Sequence, residues 1–195
     1  MPQSVIQVAE RRTPATDVAI QAALILGATL FVAICAHIYV PLPGTPVPLT
    51  MQNLAVLLVG LSLGSRRGFL AMALYLAEGA SGLPVFSPTG QPGIAHLIGP
   101  TGGYLIAYPF VAALVGFVFE RGKKTFARAL TASLLGELLL FAGGISWLYV
   151  FTHSLARAIS FGLYWFIFSE IMKVMLAAGA IRSWQNLFGK TSGNT

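Results

Sequence analysis

Six long apolar runs, divided by stretches too rich in proline, glycine or arginine to stay helical, limit this chain more than any other feature. They cover Val18 to Val40, Leu49 to Leu63, Gly68 to Gly79, Gly102 to Phe119, Ala127 to Phe151 and Leu155 to Ile181. A bilayer needs roughly 20 apolar residues per helical span, and the 195 residues hold six short spans with little left over. Only 9% of the residues are charged, against about 25% in a soluble domain. Water cannot wet such a surface all round, so lipid must be its solvent. The expected fold class is an all-α integral membrane bundle of six transmembrane helices. Residues 1–17 form a polar N-terminal segment, 18–182 the membrane domain and 183–195 a polar tail. The first apolar run is too long for a signal h-region, so no cleavable leader is expected.

Two interruptions differ from the rest. The first, about 41–49, reads Pro41-Leu-Pro-Gly-Thr-Pro-Val-Pro48, and prolines so spaced make a stiff loop rather than a helix. The second, about 82–99, contains Ser87-Pro-Thr-Gly-Gln91-Pro-Gly93. Irregular backbone of this kind leaves N–H and C=O groups unpaired in lipid, so it must lie outside the bilayer or line a cavity.

The basic residues give the orientation. Arg11 and Arg12, Arg66 and Arg67, Arg121, Lys123, Lys124 and Arg128, then Arg182 and Lys190 all fall between or beyond spans on one side, ten of the twelve. Positive-inside bias puts that side, with both termini, in the cytoplasm. The net charge of +6 therefore faces lipid headgroups and cytosol, and nucleic acid is not an expected partner. The two irregular loops then share the outer face, as lids over a pocket that opens outward.

Each ionisable group inside a bilayer needs a reason, since insertion costs about 2.5–3.5 kcal/mol. Glu170 and Lys173, three apart on the last span, share a helix face. They read either as a pair that neutralises itself or as the anionic and cationic handles of a solute site. The site reading is preferred, because apolar residues replace a structural pair without loss. Glu137 and Glu78 are deep or nearly so, and either offers a partner for Lys173. Gln52 and Asn53 open the second run as a helix cap or as solute contacts. Tyr104, behind Gly99, Gly102 and Gly103, is an interfacial belt residue or part of a ligand contact where glycine lets backbone come close.

His37, His96 and His153 lack ligand spacing and a carboxylate or thiol cluster, so no metal is expected. Cys35, the single cysteine, allows no intrachain disulfide. Gly189-Lys190-Thr191 resembles the end of a P-loop, but Trp184 stands where its first glycine is required. No catalytic set is visible and no cofactor is expected. Ala19, Ala23 and Gly27, spaced four apart, form a smooth stripe on the first helix where another helix can pack.

The linked motifs Val47-Pro-Leu-Thr-Met-Gln52, Leu63-Gly-Ser-Arg-Arg-Gly68, Tyr75-Leu-Ala-Glu-Gly79, Gly82-Leu-Pro-Val-Phe86 and Gly99-Pro-Thr-Gly-Gly-Tyr104 resemble the BioY family. These are the biotin-specific substrate-binding subunits, or S components, of energy-coupling-factor (ECF) vitamin transporters. The likeness runs from about Ala22 to Ala178. It implies a six-helix bundle in a bacterial cytoplasmic membrane, holding biotin near the outer face under the first and third outer loops. It also implies a transmembrane coupling subunit and a pair of ABC-type ATPases as partners, with Ala19, Ala23 and Gly27 as a contact for the former. Family members carry an Asp-x-x-Lys after a Pro/Gly-containing segment. Here the positions read Glu170 and Lys173 after Phe166-Ile-Phe-Ser169, with a longer acid and without the helix breakers. The resemblance makes Glu170, Lys173, Gln52, Phe86, Gln91, Gly102, Gly103 and Tyr104 the expected substrate contacts. Lys173 would take the valerate carboxylate and Glu170 the ureido ring.

Overall fold

The computed structural model describes residues 14–188. Its elements are α1 (Pro14–Ala36), β1 (Tyr39–Val40), β2 (Leu49–Thr50), α2 (Gln52–Ala80), α3 (Ile94–Leu97), α4 (Gly102–Glu120), α5 (Phe126–Thr152), α6 (Leu155–Ile159), a π-helical turn (Ser160–Tyr164) and α7 (Ile167–Phe188). Among the described residues four helices are long and apolar enough to cross a membrane, and the pair Leu155–Tyr164 and Ile167–Ile181, bent by 45°, adds a fifth if it is counted as one span. Helix one starts at Pro14, inside the expected polar N-terminal segment, and α7 runs on to Phe188, inside the expected polar tail. Arg11, Arg12, Lys190 and the Gly189–Thr191 motif lie outside the described residues.

The second and third apolar runs form one continuous element, α2, which breaks at Gly64 and folds back on itself. Gly64 has φ +79° and ψ −177°, a conformation that side-chain-bearing residues avoid. In a straight helix Gln52 and Tyr75 would stand about 35 Å apart, yet the Gln52 amide donates to the Tyr75 hydroxyl at 2.8 Å. Gly60 and Gly68, four residues either side of the break, both pack against Ala112 of α4. The break is a single residue rather than the expected Gly64–Arg67 loop, and Arg66 and Arg67 belong to the returning arm. Glu120 accepts from the Ser65 N–H at 3.2 Å and so caps that arm, an acid at a helix N-terminus being favourable.

The last apolar run also departs from expectation. No proline is present, yet the chain leaves α-geometry at Ser160 and re-enters it at Ile167. Carbonyls freed by the break find hydroxyl donors: Thr45 donates to the Phe161 carbonyl at 2.7 Å and Tyr104 to that of Gly162 at 2.8 Å. Such replacement is what lets a broken helix persist at membrane depth.

The core is apolar and continuous through α2, α4 and the inner faces of α5 and α7. Leu57, Met72, Tyr75, Val111 and Val115 are buried in it. Glycines at 60, 68, 116 and 136 bring the backbones close. A second cluster of Val47, Leu148, Ala158 and Phe166 ties the proline-rich loop to the bend of the last span. That loop is itself a small β-hairpin, with Tyr39 paired to Thr50 and Val40 to Leu49. The hairpin, the 81–101 segment and the bend thus gather at one end of the bundle, while Gly64 and Glu120 meet at the other.

Candidate substrate site

A pocket opens at the hairpin end. Its wall includes Thr50 of β2, Gln52 and Asn53 from the start of α2, Ser87, His96 and Thr101 from the 81–101 segment, and Tyr104 and Tyr108 from α4. Leu140 and Phe141 of α5 and Phe166, Glu170 and Lys173 of the last span complete it. The apolar residues form walls, and the polar groups converge from three helices, the usual composition of a small-molecule site.

Glu170, Lys173 and Asn53 are each about 5–6% exposed and form one hydrogen-bonded unit. Helical spacing places Glu170 and Lys173 on one face of α7, and Lys173 Nζ lies 2.7 Å from Glu170 Oε1. The same ammonium donates to Asn53 Oδ1 at 2.8 Å. Asn53 Nδ2 in turn donates to Glu170 Oε2 and, at 3.2 Å, to Glu137 Oε1 of α5. Ser169 adds a hydroxyl to Glu170 Oε1 at 3.4 Å. The penalty of burying an ion pair is offset only when further hydrogen bonds satisfy both groups, as here.

Of the sequence-derived candidates, the structure brings Glu170, Lys173, Gln52 and Tyr104 to one pocket. Phe86 stands behind the wall, edge-on to Tyr75 with centroids 5.4 Å apart and 5.0 Å from the His96 ring. Gln91 is exposed, and its carbonyl faces His96 Nδ1 at 3.1 Å. Gly102 and Gly103 are buried where α4 meets Trp147 and Gly143 of α5, so they serve helix packing there. Glu78 accepts from Thr29 of α1 at 3.2 Å. Ala19, Ala23 and Gly27 are exposed, and nothing lies within 4 Å of a Cβ built on Gly27.

Asn53 is the residue that sequence reasoning undervalues. An amide at a helix start reads as a cap, yet here Met51 occupies the cap position and Asn53 points inward to three charged side chains. Its signal was a second amide beside Gln52, more polar capacity than one helix end needs. Tyr108 and His96 reach the wall by tertiary packing alone.

Fold and pocket together define a helical membrane protein with a buried polar site for a small solute. The family model of the BioY family matches residues 7–190. The biotin transporter BioY of Thermotoga maritima is 37% identical over 150 residues, covering 77% of this chain and 86% of that protein. The probable biotin transporter BioY of Pyrococcus horikoshii is 42% identical over 146 residues, covering 75% and 83%. The crystal structure of the S-component for biotin from an ECF-type ABC transporter superposes with a TM-score of 0.78 at 26% identity, covering 89% of this chain and 94% of that one. The chain belongs to the BioY family. It is a multi-pass membrane protein whose relatives are named for transport rather than for catalysis.

Proposed function

We propose that this chain is a biotin-capturing S component, which binds the vitamin at the outer face for ATP-driven uptake through an ECF complex. Six spans are proposed: α1, the two arms of α2, α4, α5 and the bent α6–α7 unit. Both termini are cytoplasmic, in a bacterial cytoplasmic membrane, as the basic residues near Gly64 and Glu120 favour. The coupling subunit would pack on the exposed Ala19, Ala23 and Gly27 stripe, where a second helix can come close. A pair of ABC-type ATPases would supply the energy.

The observation that carries this reading is the buried Glu170–Lys173–Asn53 unit in the pocket wall. Biotin's urea has one carbonyl acceptor and two N–H donors. Lys173 can donate to that carbonyl, while Glu170 and the Asn53 carbonyl can accept from the N–H groups.

Charge decides which end goes in. Glu137 joins the same network, so two carboxyl groups surround one lysine. A third carboxylate placed there would meet repulsion in a low dielectric. The neutral urea therefore occupies the cluster, and the valerate carboxylate points to the hydroxyl-lined mouth of Thr50, Ser87 and Thr101. This reverses the orientation expected from the sequence, in which Lys173 anchored the carboxylate. The fused ring then lies against Tyr104, Tyr108, Leu140 and Phe166. Calorimetric titration of the detergent-solubilised protein with biotin tests the function. One-to-one heat is expected, and its absence together with uptake of a different solute would overturn the reading.

A further inference from the structure

The inner wall of the pocket holds one amide whose orientation the rest of the fold dictates. Gln52 is 3% exposed and lines the pocket. Its Nε2 lies 2.8 Å from the Tyr75 hydroxyl, and that hydroxyl lies 2.6 Å from the Val85 carbonyl of the 81–101 segment. Chemistry fixes the direction of both bonds. A backbone carbonyl can only accept, so Tyr75 gives its single hydrogen to Val85. The hydroxyl oxygen is then the acceptor, and it must meet an N–H of Gln52 rather than the amide oxygen. Gln52 Oε1 is thereby turned away from Tyr75. It has no hydrogen-bond partner among the described residues, yet the buried side-chain atoms left so are Ser133 Oγ and Glu137 Oε2. Gln52 Oε1 is therefore not sealed in protein, and the pocket is the space beside it.

Tyr75 stands behind the wall. It is completely buried and contributes nothing to the pocket lining. Packing holds the relay in place from the far side. Tyr75 meets the Phe86 ring edge-on with centroids 5.4 Å apart, and that ring fills the space where a Cβ on Gly79 would stand. The Val85 carbonyl is thus seated by its neighbour Phe86, and the Val85 N–H is tied to the Leu83 carbonyl at 2.8 Å.

We propose that Gln52 Oε1 accepts a urea N–H of the solute, and that Tyr75 is the positioning residue that presents it. The inference rests on the biotin reading above and deepens it. Asn53 Oδ1 already takes a hydrogen from Lys173, so Gln52 shares the second urea N–H with it, while Glu170 takes the first. Were Tyr75 unable to accept, the amide could turn its NH2 inward, and two donors would meet across the pocket. An unmatched polar group in a closed site carries its full desolvation cost. The wall thus favours a ring N–H at this place over a ring oxygen.

The test is a binding cycle by calorimetry on the detergent-solubilised protein: wild type, Tyr75→Phe, Gln52→Met and the double variant, each titrated with biotin. Tyr75→Phe keeps the ring against Phe86 and removes only the hydroxyl, and Gln52→Met keeps the length of the side chain and removes the acceptor. Each single change is expected to weaken biotin binding about three- to tenfold, the scale of one hydrogen bond. The double variant should lose no more than Gln52→Met alone. Losses that multiply would show that Tyr75 does not act through Gln52 and would overturn the positioning role. A second measurement uses the two biotin analogues in which one urea N–H is replaced by a ring oxygen. Both should bind wild type more weakly than biotin. For one of them that penalty should shrink about three- to tenfold in Gln52→Met, and for the same one in Tyr75→Phe, so either variant suffices. Biotin affinity unchanged in Gln52→Met, or both penalties undiminished there, would overturn the acceptor and leave the transport reading standing. No biotin heat in wild type would overturn both.

Discussion

Tyr104 of α4 donates its phenolic hydrogen to the carbonyl of Gly162, 2.8 Å away in the broken turn of the last span. Gly144 and Gly162 flank the tyrosine so closely that a Cβ on either would strike its ring or hydroxyl. The aromatic side chain thus both walls the pocket and holds the bend that presents Glu170 and Lys173. Gly162→Ala should lower the melting temperature and weaken biotin binding together. Tyr104→Phe should be milder, at about 1–2 kcal/mol for the carbonyl left without that donor. The double variant should lose less than the sum of the two, because removing the hydroxyl makes room for the methyl. Strict additivity in a thermal-shift cycle would show that the two residues do not act on each other.

The reversal at Gly64 makes a second point of vulnerability. Its positive φ strains any residue with a Cβ, and a Cβ there would also push the Glu120 carboxylate aside. Gly64→Ala is expected to destabilise the detergent-solubilised protein by about 1–3 kcal/mol from backbone strain alone. Glu120→Ala should lose less, since only a cap on the returning arm is removed, about 0.5–2 kcal/mol. Equal melting temperatures for wild type and Gly64→Ala would rule out the folded-back geometry of α2.

His96 gives the outer segment a pH dependence of definite sign. Burial lowers its pKa below the ordinary histidine value, opposed in part by the hydrogen bond to the Gln91 carbonyl. A base with a depressed folded pKa contributes stability above its unfolded value, about 6.5, that is lost as pH falls through the folded one. Amide protection in the 86–97 segment, measured relative to the intrinsic exchange rate at each pH, should therefore fall on acidification below about pH 6, and His96→Gln should flatten that response. An acid-insensitive segment in wild type would remove His96 from this role.

Much of the fold is legible in the sequence because lipid imposes a plain rule: apolar runs span, and proline- or glycine-rich stretches do not. The run limits at Gly102–Phe119 and Ala127–Phe151 fall within one residue of α4 and α5 at each end. The break in the last span was hidden, since Ser160 to Phe166 contains no proline. Gly162 and two hydroxyls from distant segments, Thr45 and Tyr104, make it tolerable instead. Intramembrane charge pointed directly to Glu170 and Lys173. Asn53 stayed ambiguous because local sequence cannot show that an amide near a helix start will meet three charged side chains from two other helices. The place of Glu137 was hidden for the same reason: only packing brings it beside the pair.

The central claim is that the Lys173–Glu170–Asn53 cluster reads the urea of biotin and not its carboxylate. Lys173→Ala leaves Glu170 without its buried partner, a loss of about 3–5 kcal/mol, but it weakens binding in either orientation. Titration of wild-type protein with biotin, biotinamide and biotin methylated on a urea nitrogen separates the two directly. Biotinamide, which lacks the carboxylate, should bind within roughly threefold of biotin, and the N-methyl compound about a hundredfold or more weaker, a difference near 2.7 kcal/mol. Loss of affinity on amidation with the N-methyl compound unaffected would contradict the account.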